Sequence, residues 1–187
     1  MRGLFYTSAD DLLSAESDRL NAIIGLPLVA TWIAWDLSAE SWFADEPVIL
    51  QFGNEQIELT HYQLDHLAVT WNTIDTAVPP NWLGCWEGWS LQWRRDTHPV
   101  LVLNVGRLLR GVSVVEMYSE TTVVSDPQHP QNIGLKENAW LLHAIEFEFD
   151  NAVTAIFNAL DENGIQAESH SNAGFRRRSI SGKQFPF

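Results

Sequence analysis

From Leu141 to Asp150 the chain alternates. Leu141, His143, Ile145, Phe147 and Phe149 fall on one side of an extended backbone, and Leu142, Ala144, Glu146, Glu148 and Asp150 on the other. A helix would scatter both sets around its axis, whereas a strand, with its period of two, sorts them cleanly. A strand with an apolar side needs an apolar cover, so this segment commits the chain to a sheet packed on a core. Asp150-Asn151 then turns the chain, and Val153 to Phe157 returns it.

The first half of the chain follows the same order. Val48 to Phe52 is apolar, Gly53-Asn54 is a turn dipeptide, and Ile57 and Leu59 alternate with Gln56, Glu58 and Thr60. Matching the halves pairs Gly25, Leu28, Val29 and Trp32 with Gly111, Val114, Val115 and Tyr118, an offset of 86 residues. Phe52 pairs with Phe149 at 97, and Leu64-Asp65 with Leu160-Asp161 at 96. The change of offset asks for an insertion, and the polar stretch Ser125 to Asn138, holding Pro127, Pro130 and Gly134, suits one. The expectation is two pseudo-repeated strand–hairpin units, about 18–72 and 104–168, fused into one core.

Ser8 with Asp11 reads as a helix N-terminus, Leu13, Leu20 and Ile24 would share a face of that helix, and Gly25 suits its left-handed end. Leu28 to Trp35 reads as a strand. Thr73 to Glu87, with Pro79-Pro80 and Gly84, reads as an irregular connection. Trp82, Trp86, Trp89 and Trp93 could form one helical stripe, but Gly84 and Gly88 weaken a helix, and Trp89, Leu91 and Trp93 also fit a strand. The fold class expected is therefore α+β: a β-rich single domain over 1–170, antiparallel sheet with short helices, and a flexible basic tail over 171–187.

Charge narrows the function. The net charge is −13 over 187 residues. Arg176, Arg177, Arg178 and Lys183 stand in Ser171–Phe187 without an acid, so the rest of the chain is four charges more negative still. Such a body repels nucleic-acid backbones and anionic membranes and favours a basic protein partner. No stretch is long and apolar enough to span a bilayer: Ile23 to Trp35 is broken by Gly25, Pro27 and Thr31. Cys85 is the sole cysteine, which excludes an intrachain disulfide and a cysteine-rich zinc site. Ser8, Asp10, Asp11, Glu16 and Asp18 break up any secretory leader pattern. A cytoplasmic location is expected.

Candidate chemistry is sparse. His61 and His66 are five apart, a spacing that puts a zinc pair on one face of neither a helix nor a strand. His143 lies on the apolar side of its strand, where a core or interface histidine is the expectation; His98, His129 and His170 fall in loop-like segments. No metal site and no cofactor is expected. There is no nucleophile elbow around Ser113 or Ser181 and no glycine-rich phosphate loop. A binding role therefore stands ahead of an enzymatic one. The acids that follow each hairpin, Asp65 in one unit and Asp161 with Glu162 in the other, could flank a shared groove. As a carboxylate pair they would serve glycan hydrolysis, with Trp82, Trp86 and Trp89 as sugar platforms. As contact acids, together with Glu146 and Glu148, they would serve a basic partner, with the same tryptophans as anchors. A structural or assembly module, such as a homodimer, is the third possibility.

The run Asn158-Ala159-Leu160-Asp161-Glu162-Asn163-Gly164, following an alternating strand and a turn, resembles small bacterial proteins found among the immunity proteins of polymorphic toxin systems. The resemblance covers about residues 104–168 and carries no functional residue with it. It implies a cytoplasmic inhibitor that neutralises a basic toxin partner.

Overall fold

The computed structural model of the chain describes residues 5–80, 90–122, 128, 134 and 136–180. Trp82, Trp86, Trp89 and most of the expected insertion lie outside them. Ser8 caps helix α1 (Ala9–Ile23), its side chain accepting a hydrogen bond from Asp11 N, and Gly25 follows in the left-handed region at φ +91°. Leu12, Leu20 and Ile23 are the buried face of the helix, with Leu13 and Ile24 at its margin. Glu16 ties the outer face down, accepting hydrogen bonds from Tyr6 Oη (2.7 Å) and Trp71 Nε1 (2.8 Å).

The strands form two antiparallel sheets. The first holds β1 (Phe5–Tyr6), β2 (Leu28–Asp36), β3 (Ser41–Trp42), β4 (Val48–Phe52), β5 (Glu55–Tyr62) and β6 (His66–Trp71), in the order β1-β6-β5-β4-β2-β3, with β7 (Leu91–Arg95) also paired to β2. Trp93 thus stands on a strand. After the one-turn helix α2 (Pro99–Val102) come β8 (Leu109–Thr122), β9 (Lys136–Phe149), β10 (Ala152–Asn158), β11 (Asn163–Gln166) and β12 (Phe175–Ile180). They make the second sheet in the order β11-β10-β9-β8-β12.

Both sheets contain a meander of the same order, β6-β5-β4-β2 and β11-β10-β9-β8. Each has a bulge at the same place: the pairing Leu28–Phe52 shifts to Ala30–Gln51, and Leu109–Phe149 shifts to Gly111–Glu148. The residues before the two bulges, Leu28 and Leu109, are 81 residues apart, not the 86 of the sequence matching. Gly25 and Gly111 are not equivalent. The first is a left-handed helix end, while the second sits in a strand where a Cβ would lie 3.1 Å from the Glu148 carboxylate. The segments entering β2 and β8 run antiparallel to each other, with Gly25 N donating to Leu109 O (2.8 Å) and Leu28 N to Arg107 O (2.9 Å).

The core lies between the sheets and under α1. Phe52 of the first sheet stacks on Phe147 (5.9 Å) and Phe149 (6.4 Å) of the second, and Leu50, Ile57, Leu59, Val114, Ile145 and Ile156 surround them. Each such ring removes a large apolar area from water, so this stack is one apolar joint between the sheets.

Residues 175–180, expected within a flexible tail, are instead the edge strand β12 along β8. The cause is electrostatic. Glu116 is buried on β8, and Arg176 and Arg178 both bond its carboxylate, with Arg176 Nε at 2.6 Å and Arg178 Nε at 2.9 Å. Arg178 also reaches Asp10 on α1. A buried carboxylate needs such partners, so it recruits the arginines that look like a solvated run in the sequence.

Gly164 on β11 makes a sharp prediction. It faces Phe157 on β10, and a Cβ there would sit 2.4–2.6 Å from ring atoms of Phe157. That ring is hemmed in by His143 (5.7 Å) and His170 (5.6 Å). Gly164→Ala is expected to cost about 2 kcal/mol by overpacking. Urea denaturation measures it, and an unchanged midpoint would contradict the packing described.

Candidate functional site

The turns β5–β6 and β10–β11 meet at one end of the molecule. In the second, Leu160 (φ +66°) and Asp161 (φ +84°) are both left-handed, and Ala159 N donates to Glu162 O (2.9 Å). Two consecutive positive φ values mark the tight hairpin turn that favours Asn-Gly, because a side chain with a Cβ is crowded there. Asn158 steadies it, its Oδ1 accepting from Asp161 N at 3.1 Å. Gln63, itself at φ +53°, joins the two turns: its N–H donates to Asp161 Oδ1, and its carbonyl accepts from Asn158 Nδ2.

Beneath this contact Asn163 acts as a rivet. Its Oδ1 accepts from His61 N and faces His61 Nδ1, each at 3.0 Å, and its Nδ2 donates to the carbonyls of Ala44 and Glu46, each at 3.0 Å. The end of the second sheet is thereby fixed to the first. The segment entering β4 brings two more acids, Asp45 and Glu46, beside the turn. Burial raises the Asp45 carboxyl, and the charge of Asp161 adds to the effect. Burial, reinforced by Asp45, raises Glu46 to about 7.

Large apolar side chains stand among these acids. Leu160 is 80% exposed, Leu64 58% and Tyr62 45%. Tyr62 packs on Phe5 (5.7 Å) and His66 (6.3 Å), while His66 Nδ1 meets Asp65 Oδ1 at 2.9 Å. Leu64 and Leu160 thus project from the two turns that Gln63 joins, an apolar crest whose own turns carry Asp65, Asp161 and Glu162, with Asp45 close enough to feel the charge of Asp161. Among the described residues no lysine or arginine is ion-paired with any of these four acids.

The acids singled out in the sequence therefore divide. Asp65, Asp161 and Glu162 come together at this end. Glu146 does not, and it cannot be a surface contact. It is fully buried on the outer face of the second sheet, receiving Ser169 Oγ (2.8 Å), His170 N (2.7 Å), His170 Nδ1 (3.1 Å) and Arg177 Nη2 (2.7 Å). Glu148 is half-buried near the opposite end of β10, accepts from Ser113 Oγ (3.3 Å), and lines a shallow open depression with Val153, Ala167 and Ser169. Trp82, Trp86 and Trp89 lie outside the described residues. Sequence reasoning passed over Leu64, Leu160 and Asn163. The available signal was Leu160 itself, an apolar residue in an otherwise polar turn.

His143 is at the irregularity where β9 shifts register against β8, not on the plain apolar side of the strand. Its ring lies against His170 (4.8 Å), Phe175 (5.3 Å) and Phe157. Burial holds both His61 and His143 down to about 4. Between pH 6.5 and about 4 the unfolded chain takes up two protons that the folded chain refuses, so stability is lost as pH falls through that window. Glu46 acts in the opposite sense, retaining between 4.5 and about 7 a proton that the unfolded chain releases. From pH 6.5 down to 4.5 the imidazoles, with His98 also lowered by burial, outnumber the acids that burial raises, Glu46 and Asp45, so stability should fall as pH falls. Glu46→Gln removes an opposing group and is expected to steepen the slope. Urea midpoints across this range measure it, and a flat profile would contradict the burial of the two imidazoles.

Among the described residues no group of three or more His, Cys, Asp or Glu side chains could hold a metal ion, and no helix is long and apolar enough to cross a membrane. No family model, no curated protein and no solved structure matches the chain.

Proposed function

We propose that this chain is an acidic binding protein, an immunity protein or inhibitor that neutralises a basic protein partner such as a nuclease toxin in the cytoplasm. The observation that carries the reading is where the opposite charges go. Arg176 and Arg178 are drawn to Glu116 and Asp10, and Arg177 to buried Glu146. These cations do not offset the acids at the turn–turn end, which keep their field for a partner. Acids that no described lysine or arginine pairs steer a cationic partner and fix its register. The meanders, with their matched bulges, are read as two divergent copies of one unit whose hairpin ends have come together to make that surface.

Purified with the polypeptide encoded by the adjacent gene, the chain is expected to form a stable complex and to suppress that polypeptide's activity. Two separate peaks on size-exclusion chromatography, with activity intact, would sink the reading.

A further inference from the structure

We propose that the crest formed by Leu64 and Leu160 is the docking surface itself: the two leucines insert into an apolar socket on the partner, and Asp45, Asp65, Asp161 and Glu162 meet lysines and arginines on its rim. This rests on the binding reading above and adds where contact is made and what chemistry the partner must present.

Three observations converge here. First, a leucine that is 80% exposed gains nothing from the fold, and large apolar groups held out in water mark interaction sites when they cluster. Leu160 does cluster, because the Gln63 bonds to Asp161 and Asn158 lock its turn against the turn that carries Leu64 and Tyr62.

Second, Leu160 sits at φ +66°, where asparagine or glycine would be more comfortable, so the position is not occupied for the sake of the turn. The turn is nevertheless held firmly by Asn158 and by the Asn163 rivet. A rigid projecting anchor loses little freedom on binding.

Third, charge selects the occupant. The exposed apolar residues near the other end, Leu103 at 63% and Leu108 at 37%, have Arg107 and Arg110 close by in the chain, and Arg110 is ion-paired with Asp150. The Leu64–Leu160 crest has four acids without a described lysine or arginine partner. A cationic rim around an apolar pocket complements it, and an acidic surface, including a second copy of this end, is repelled.

The test uses the full-length chain and, as probe, the purified polypeptide encoded by the adjacent gene. Leu160→Asn is the main variant, since asparagine tolerates the left-handed backbone and the fold should melt no lower than the parent. Leu103→Asn at the other end is the control. The expected result is that the parent and Leu103→Asn bind alike, while Leu160→Asn binds about tenfold or more weakly with its melting temperature preserved. Glu162→Lys should slow association and reduce its dependence on salt. If the parent binds and Leu160→Asn binds equally well, the docking surface is elsewhere and this inference fails while the binding reading stands. If the parent does not bind, the reading beneath it fails and the inference falls with it.

Discussion

Phe52→Ala is expected to lower the free energy of unfolding by about 4 kcal/mol, the largest loss of any single substitution considered for this chain. Phe52 is fully buried and stacks on two rings of the opposite sheet, Phe147 and Phe149. Truncation removes its transfer free energy and leaves a cavity. The walls of that cavity are strands already fixed by their ladders, so collapse is limited. Phe147→Ala should cost a similar amount. The double variant should cost less than both together, because the two truncations empty one space. Urea denaturation of the three variants measures the coupling. Strict additivity would mean that the sheets are not joined through this stack.

Glu146→Ala is expected to cost about 3 kcal/mol, through a different mechanism. The carboxylate is fully buried and satisfies Ser169, the backbone and ring of His170, and Arg177. Burial pushes its carboxyl up, but the bonds from His170 and Ser169 and the charge of Arg177 outweigh burial and hold it below the ordinary value of 4.5. Without it, nearly buried His170 loses its acceptor and Arg177 loses its counter-charge, so the crossing segment before β12 should loosen. Limited proteolysis within residues 166–175 should accelerate in step with the loss of stability. Since the folded carboxyl is depressed, its contribution is present above pH 4.5 and disappears as pH falls through the lowered value. Parent and variant should therefore converge in strong acid. Protease resistance unchanged from the parent would contradict the role given to Glu146.

Local pattern made much of the fold legible. The alternation from Ile145 to Phe149, the turns at Gly53-Asn54 and Asp150-Asn151, and the Ser8 cap all act through near neighbours and stand where expected, whereas the bulge at His143 swaps the faces before it, so that Leu142 and not Leu141 enters the core. What escaped depends on distant partners. Three consecutive arginines read as a solvated tail because nothing nearby in sequence discloses a buried Glu116 about 60 residues earlier. Matching glycines gave an offset of 86, whereas the register shifts of the two sheets follow Leu28 and Leu109, which are 81 residues apart. The acids singled out in the sequence show the same limit. Glu146 and Glu148 lie on the polar side of a strand, and the sequence cannot tell that the segment after β11 folds back over Glu146. That Asp161 and Glu162 stand exposed was legible because turns stay at the surface. That their turn touches the one carrying Asp65 required the long-range bonds of Gln63 and Asn163.

The central claim, that this acidic surface exists to hold a basic partner, is tested most directly by titrating the chain with the polypeptide encoded by the adjacent gene at low and at high salt. The expected result is a stoichiometric complex whose affinity falls about tenfold or more as salt screens the exposed acids, with the fall carried mainly by slower association. No binding at low salt, or binding indifferent to salt, would contradict it.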